Sequence, residues 1–160
     1  MLLEEKNSLF DEKYELYGKM LYKLCMVHLK NHSDTEDAVQ DIFIKLMYSS
    51  PEFATLDDER YWLIRVAINV CKNKLKSYWF KNVDLMDEDV KTYEEAPDKE
   101  LLNLVLNLPV KYKAVIHLFY YEEYSVKEIA AILKIGESAV KARLMRGREK
   151  LKDELEGVGL

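Results

Sequence analysis

Apolar residues recur at helical spacing along most of the chain, and the interruptions are few. Leu9, Leu16, Met20, Leu24 and Val27 fall near one face of a helix expected over 9–30. In "HSDTEDAVQDIFIKLM", Ser33 and Glu36 have the S-x-x-E spacing of a capping box. Val39, Ile42, Phe43 and Leu46 then follow the i, i+3, i+4, i+7 rule of a one-sided helix. "SSPEFATLDDE" breaks the rhythm and reads as a loop with Pro51 as a helix stop. A third helix, about 58–80, would bury Tyr61, Ile64, Ile68, Cys71 and Leu75 on one stripe. After a weakly periodic stretch, further helices are expected at about 98–107, 109–122 behind Pro109, 126–133 and 138–155. No internal repeat and no β-type alternation of any length is visible, so the fold class is all-α.

Charge divides this string of helices. The 160 residues carry a formal net charge of −5. Residues 1–82 hold 12 basic and 13 acidic side chains, and residues 101–160 hold 10 and 8, so both ends are nearly balanced. Residues 83–100 hold 2 basic and 8 acidic side chains and carry the acidity. With its weak periodicity and Pro97, that stretch has the composition of a flexible connection. The expected organisation is two small helical domains, 1–82 and 98–160, joined by an acidic linker over 83–97.

Several classes fall away on composition. Apolar runs such as "AVIHLFYY" are far shorter than the roughly 20 residues of a membrane-spanning helix, so no membrane insertion is expected. "MLLEEKNSLF" has acids where a signal peptide is basic, which points to the cytoplasm. Cys25 and Cys71 stand apart among apolar neighbours and read as reduced core thiols. His28 and His32, four apart in "HLKNH", would share a helix face if the helix reached that far. They lack the Glu of a zinc protease and a third ligand, and His117 sits among apolar residues. With no Gly-rich phosphate loop and no G-x-S-x-G, neither an enzyme nor a cofactor or metal site is expected.

The positive chemistry sits near the C-terminus, in "SVKEIAAILKIGESAVKARLMRGREK". Ser125 and Glu128 form a capping box before a short helix with Ile129, Ala130, Ile132 and Leu133 inward. "KIGE" interrupts it, and a second helix begins near Ser138 with Val140, Leu144, Leu151 and Leu155 buried and Gly147 at a close approach. Two helices across a tight turn, the second more basic, are the helix-turn-helix pattern, whose second helix enters the DNA major groove. Lys141 and Arg148 flank the buried face on one side and Arg143 and Lys150 on the other, while Arg146 points more nearly outward. Arginine can hold guanine with two bonds, and either cation can pair with phosphate. A solvated terminal helix would explain the charges alone, but not the capped helix and turn before them.

"SDTEDAVQDIFIKLM", a loop, "YWLIRVAINVCKNKL", an acidic linker and "LPVKYKAVIHLFYYEEYSVKEIAAILKIGESAVKARLMRGREKL" occur in that order. This arrangement, roughly residues 10 to 152, resembles a bacterial RNA polymerase sigma factor of the sigma-70 family, in the two-domain extracytoplasmic-function group. The resemblance implies a protein that binds core RNA polymerase and promoter DNA and directs −10 melting and transcription initiation, with an anti-sigma factor as a further partner. Asp37, Gln40 and Asp41 then match the surface that grips the polymerase clamp helices. Phe53 and Asn69 match positions that hold a flipped-out base of the melted −10 element. An asparagine amide bonds a base edge in both directions and an aromatic ring stacks on an unpaired base. Arg65 and Lys72 share a polar stripe with Asn69, suited to one DNA strand. Trp62 matches the tryptophan of the family's "WL" pair and reads as core, while Tyr78, Trp79 and Phe80, aromatics able to stack on DNA, read rather as ending the helix against its domain. Lys141, Arg143, Met145 and Arg146 match recognition-helix positions facing the −35 element. Tyr124 and Ser125 begin the supporting helix, whose N-terminus can meet a phosphate.

Three departures stand out. Lys134 occupies a turn position that is usually glycine in the family, Ser138-Ala139 replaces the usual Gly-Thr, and Ala142 stands where a small polar residue is common. About 15 extended residues span at most roughly 50 Å, enough for the linker to bridge DNA sites one to two turns apart. In the family it threads through the polymerase; a plain solubilising tether would have the same composition. A stand-alone helix-turn-helix regulator, the competing reading, leaves the front domain unexplained, and a pure protein-interaction module leaves Lys141 to Arg148 unexplained.

Overall fold

Helices and the short connections between them make up all of the described residues, 3–79 and 99–157 of a computed structural model. The expected linker at 83–97 and the side chains of Tyr78, Trp79 and Phe80 lie outside them. The chain divides into two compact units, as the charge pattern leads one to expect.

In the first unit α1 (Leu3–Leu29), α2 (His32–Ser49) and α3 (Leu56–Trp79) each pack against the other two. Leu21, Leu24, Cys25, Ile42, Phe43, Leu63 and Ile64 form a closed core. Phe43 is fully buried and its ring meets Phe10 edge-on at 5.6 Å; truncating such a residue to alanine costs about 3–5 kcal/mol. The α2 periodicity is as expected, with Val39, Ile42, Phe43 and Leu46 all inward. In the α1 stripe Leu24 and Val27 are buried as expected and Leu9 and Met20 are half-buried, but Leu16 leaves the inner face. Leu16 is 57% exposed, and Tyr17, Leu21 and Leu24 take the inner face. Trp62 is half-buried rather than core, its ring edge-on to Phe53.

The cap of α2 also differs from expectation. Lys30 takes a left-handed conformation (φ 65°) just after α1, so the chain turns early and Asn31 becomes the N-cap. Asn31 Oδ1 accepts from Asp34 N at 2.8 Å, and Thr35 Oγ1 donates to the Asn31 carbonyl at 2.7 Å. Ser33 is therefore already inside the first turn, and Glu36 pairs with His32 at 2.9 Å instead of closing a box. The same break separates the two histidines: His28 is buried at the end of α1 and His32 is exposed at the start of α2.

The second unit contains α4 (Lys99–Leu106), α5 (Val110–Ile116), a π-helical turn continuing α5 (His117–Tyr121), α6 (Val126–Leu133) and α7 (Glu137–Gly157). α7 packs on α4, α5 and α6. Lys113 is buried and its ammonium donates to the Leu106 carbonyl at 3.0 Å, satisfying an orphan acceptor at the end of α4. The capping box at Ser125 is present in both directions, at 3.1 Å each way. Ile129, Ala130 and Ile132 turn inward, while Leu133 is only half-buried.

Two local features set how α6 and α7 meet. Lys134 adopts φ 56°, ψ 46° at the C-cap of α6, a left-handed state that costs a non-glycine residue about 1–2 kcal/mol. A Cβ on Gly147 would lie 2.6 Å from Ile116 Cδ1 and 3.5 Å from Tyr112 Cβ, so glycine lets α7 approach α5 closely. Lys134→Gly is expected to raise the unfolding free energy by about 1 kcal/mol in denaturant titration. Gly147→Val is expected to lower it by about 1–3 kcal/mol through overpacking.

Candidate polymerase and nucleic-acid interface

Burial of Ala38, Val39, Ile42 and Phe43 turns the opposite face of α2 outward. Asp37, Gln40 and Asp41 are all exposed on that face, with Asp41 Oδ2 3.7 Å from Lys74 Nζ on α3. At 100° per residue, Ile44 and Tyr48 continue the same stripe, 54% and 68% exposed, with Lys6 Nζ over the Tyr48 ring at 4.4 Å. Sequence reasoning missed these two. Their signal was available, since an apolar residue three or seven positions beyond Asp41 lies on the polar side of the helix.

The loop over 50–55 is held at both ends. Ser50 Oγ donates to the Leu46 carbonyl at 2.7 Å, and Thr55 Oγ1 accepts from Asp58 N at 3.1 Å, capping α3. Within the loop Phe53 is half-buried, its ring centre 5.6 Å from that of Trp62 at 61°. Trp62, Arg65, Asn69 and Lys72 lie within about 80° of each other around α3, a strip about 15 Å long. Asn69 and Lys72 are exposed and Arg65 is half-buried. Burial lowers the Arg65 pKa and nearby Asp58 opposes that shift. The Phe53–Trp62 contact thus brings an aromatic loop residue to the head of the polar strip, joining four expected residues into one surface.

On α7, Lys141, Met145 and Arg146 are exposed, Arg143 is half-buried, and Val140, Leu144 and Gly147 face inward. Two of the basic side chains meet aromatics of α5 and its π-helical turn, and the first is Lys150, whose Nζ lies 5.8 Å from the Tyr112 ring centre. Burial pushes the Tyr112 hydroxyl up, but the nearby Arg146 and Lys111 charges outweigh it and leave its pKa lowered. Arg148 Nε donates to Tyr120 Oη at 2.6 Å, and its guanidinium lies 5.4 Å and 5.8 Å from the Tyr120 and Phe119 ring centres. Tyr112 and Tyr120 are functional candidates that α7's own sequence gave no reason to choose. Ser125 is exposed; its Oγ accepts within the cap, leaving its proton available to an anion. Among the described residues no His, Cys, Asp and Glu side chains cluster as a metal site.

Residues 14–80 match the Sigma-70 region 2 family and residues 98–151 match Sigma-70, region 4. The first match spans most of α1 with α2 and α3, and the second spans α4 to the middle of α7. The chain belongs to the sigma-70 family, in its extracytoplasmic-function (ECF) group. It is 29% identical to the ECF RNA polymerase sigma factor SigW of Bacillus subtilis (strain 168), over 91% of this chain and 88% of that one. It is 25% identical to SigX of the same organism, over 92% and 84%. The fold resembles the sigma factor RpoE solved with the anti-sigma factor NepR from Bartonella quintana, at TM-score 0.71 and 19% identity over 92% of this chain and 96% of that one. It also resembles CnrH solved with the cytosolic domain of CnrY, at TM-score 0.66 and 21% identity over 94% and 90%. In this ECF sigma factor the Phe53–Lys72 surface falls in the region 2 match, and Lys141 to Arg146 fall in the region 4 match.

Proposed function

We propose that this sigma factor binds core RNA polymerase and selects promoters with two separate DNA-facing surfaces. The observation that carries the reading is the ordered pair of sigma-70 matches, region 2 then region 4, on one chain. A stand-alone helix-turn-helix regulator would have no use for the first. Asp37, Gln40 and Asp41 form the ridge for core polymerase, which Ile44 and Tyr48 extend with apolar contact. Phe53 with Arg65, Asn69 and Lys72 takes a base and the backbone of the melted −10 strand. Lys141, Arg143, Met145 and Arg146 read duplex −35 DNA, and Ser125 at the start of α6 contacts a phosphate.

The division of labour follows from chemistry. Stacking on an aromatic ring and a bidentate amide contact both need an unpaired base, so the region 2 surface acts on melted DNA. An arginine-bearing helix reads intact major groove, so the region 4 unit acts on duplex. Residues 83–97 serve as the acidic tether between them. Catalysis belongs to the polymerase, and the protein acts in the cytoplasm. Among the described residues no helix is long and apolar enough to cross a membrane. Solved neighbours in complex with CnrY and NepR support an anti-sigma factor as regulator.

Transcription from a promoter on addition of this chain to core RNA polymerase, with start-site mapping, tests the proposal; duplex binding without directed initiation sinks it. Arg146→Ala is expected to lower initiation at a −35-dependent promoter roughly tenfold without changing core affinity. Asp41→Ala is expected to weaken core binding about fivefold in fluorescence titration. Unchanged core affinity in that variant would remove the role given to α2.

A further inference from the structure

The loop that carries Phe53 bridges a hollow. Behind it lies a cavity of about 740 Å³ lined by Leu9, Lys13, Leu46, Met47, Leu56 and Glu59, among others. Apart from the Phe53–Trp62 contact, a loop with open space beneath it takes its position from its ends. At the far end stands Glu59, in the first turn of α3 and 8% exposed. Its backbone N–H donates to the Thr55 carbonyl at 3.3 Å, so the carboxylate is one helical turn from the loop.

That carboxylate is held from α1. Lys13 Nζ lies 2.8 Å from Oε1 and 3.0 Å from Oε2, and Tyr17 Oη donates to Oε1 at 2.6 Å. Lys13 and Tyr17 are one turn apart on α1 and reach Glu59 over 46 and 42 residues of sequence. Burial, then the bond to Glu59, pushes the Tyr17 hydroxyl well above its ordinary range, consistent with a donor locked onto the carboxylate. Apolar side chains would join the helices at least as well, because buried ion pairs repay their desolvation poorly. What three directed bonds add is local geometry: they hold the first turn of α3, ahead of the buried stripe that begins at Leu63, at a set height against α1.

We propose that Lys13, Tyr17 and Glu59 are positioning residues for −10 base capture, pinning the base of the 50–55 loop so that Phe53 stays presented at the head of the Trp62–Lys72 strip. The proposal rests on the reading that Phe53 and Asn69 hold an unpaired base. None of the three touches DNA. Their effect passes through the loop, so it is confined to the nucleotide that Phe53 receives and absent from contacts made by α2 or α7.

The test uses holoenzyme reconstituted from the full chain and core RNA polymerase. Its ligand is fork-junction promoter DNA whose single-stranded −10 segment is intact or carries one abasic nucleotide at each position in turn. Wild-type holoenzyme is expected to lose about tenfold in affinity at one abasic position. Lys13→Met is expected to bind core normally, to bind intact DNA about fivefold more weakly, and to bind the critical abasic DNA as wild type does. Lys13→Arg is expected to restore most of the discrimination. Tyr17→Phe, which removes one hydroxyl, carries the test if Lys13→Met fails to fold, with about a twofold effect on intact DNA alone. If these variants keep full sensitivity to the abasic nucleotide, or weaken intact and abasic DNA equally, the positioning role is overturned. If wild type is indifferent to abasic substitution everywhere, the base-capture reading itself fails and takes the proposal with it.

Discussion

Leu63, Ile64, Ala67 and Cys71 are sealed between α1 and α2, and this burial fixes the rotation of α3 about its own axis. A turn of one residue would move every side chain by 100° and expose the apolar stripe to water, at about 25 cal/mol for each Å² uncovered. The opposite stripe is therefore not free to choose its direction. Trp62, Arg65, Asn69 and Lys72 face out together because the core admits only one registry. The α2 ridge follows from the same closure, since Ala38, Val39, Ile42 and Phe43 complete the core from the other side.

The second unit achieves the same end with a different device. α7 is long and highly charged, and only Val140, Leu144 and Gly147 are fully buried. So narrow a contact is held by proximity: the missing side chain at Gly147 lets Ile116 press against the α7 backbone. Around this seam the aromatic residues of α5 and its π-helical turn meet cations on α7, Tyr112 the Lys150 ammonium on one flank and Tyr120 the Arg148 guanidinium on the other. Long basic side chains lose rotamer freedom when they bind, and the Tyr120 and Phe119 contacts order Arg148 beforehand.

Much of this was legible in the sequence wherever the signal is local. The α2 stripe and the Ser125 box depend on residues within a few positions of each other, Gly147 announces a close approach by its own type, and the turn at Lys134 stands out only as a departure from the family resemblance. The misses have local causes too. Lys30 is a lysine in a left-handed corner, a conformation its type does not announce, so α2 starts at Asn31 and not at Ser33. Leu16 reads as core by spacing, yet Tyr17 takes the inner place, where its hydroxyl finds Glu59. The candidate site divides along the same line. Charges and aromatics could be picked out on each helix, but the partners that hold them could not. Phe53 meets Trp62 across a loop, Arg148 meets Tyr120 across 28 residues, and Glu59 meets Lys13 across 46.

The π-helical turn at 117–121 has a meaning for chain length. Such a turn is an α-helix that has absorbed one extra residue without losing its hydrogen-bonded path, and here it keeps His117 and Leu118 inward while Tyr120 swings to the surface. Loss of one residue there would return the segment to α-helical pitch. In the regular helix α7 an inserted residue ahead of Arg148 would sweep the guanidinium a quarter-turn or more away from Tyr120. The supporting turn thus carries an extra residue of a kind that would cost α7 its registry.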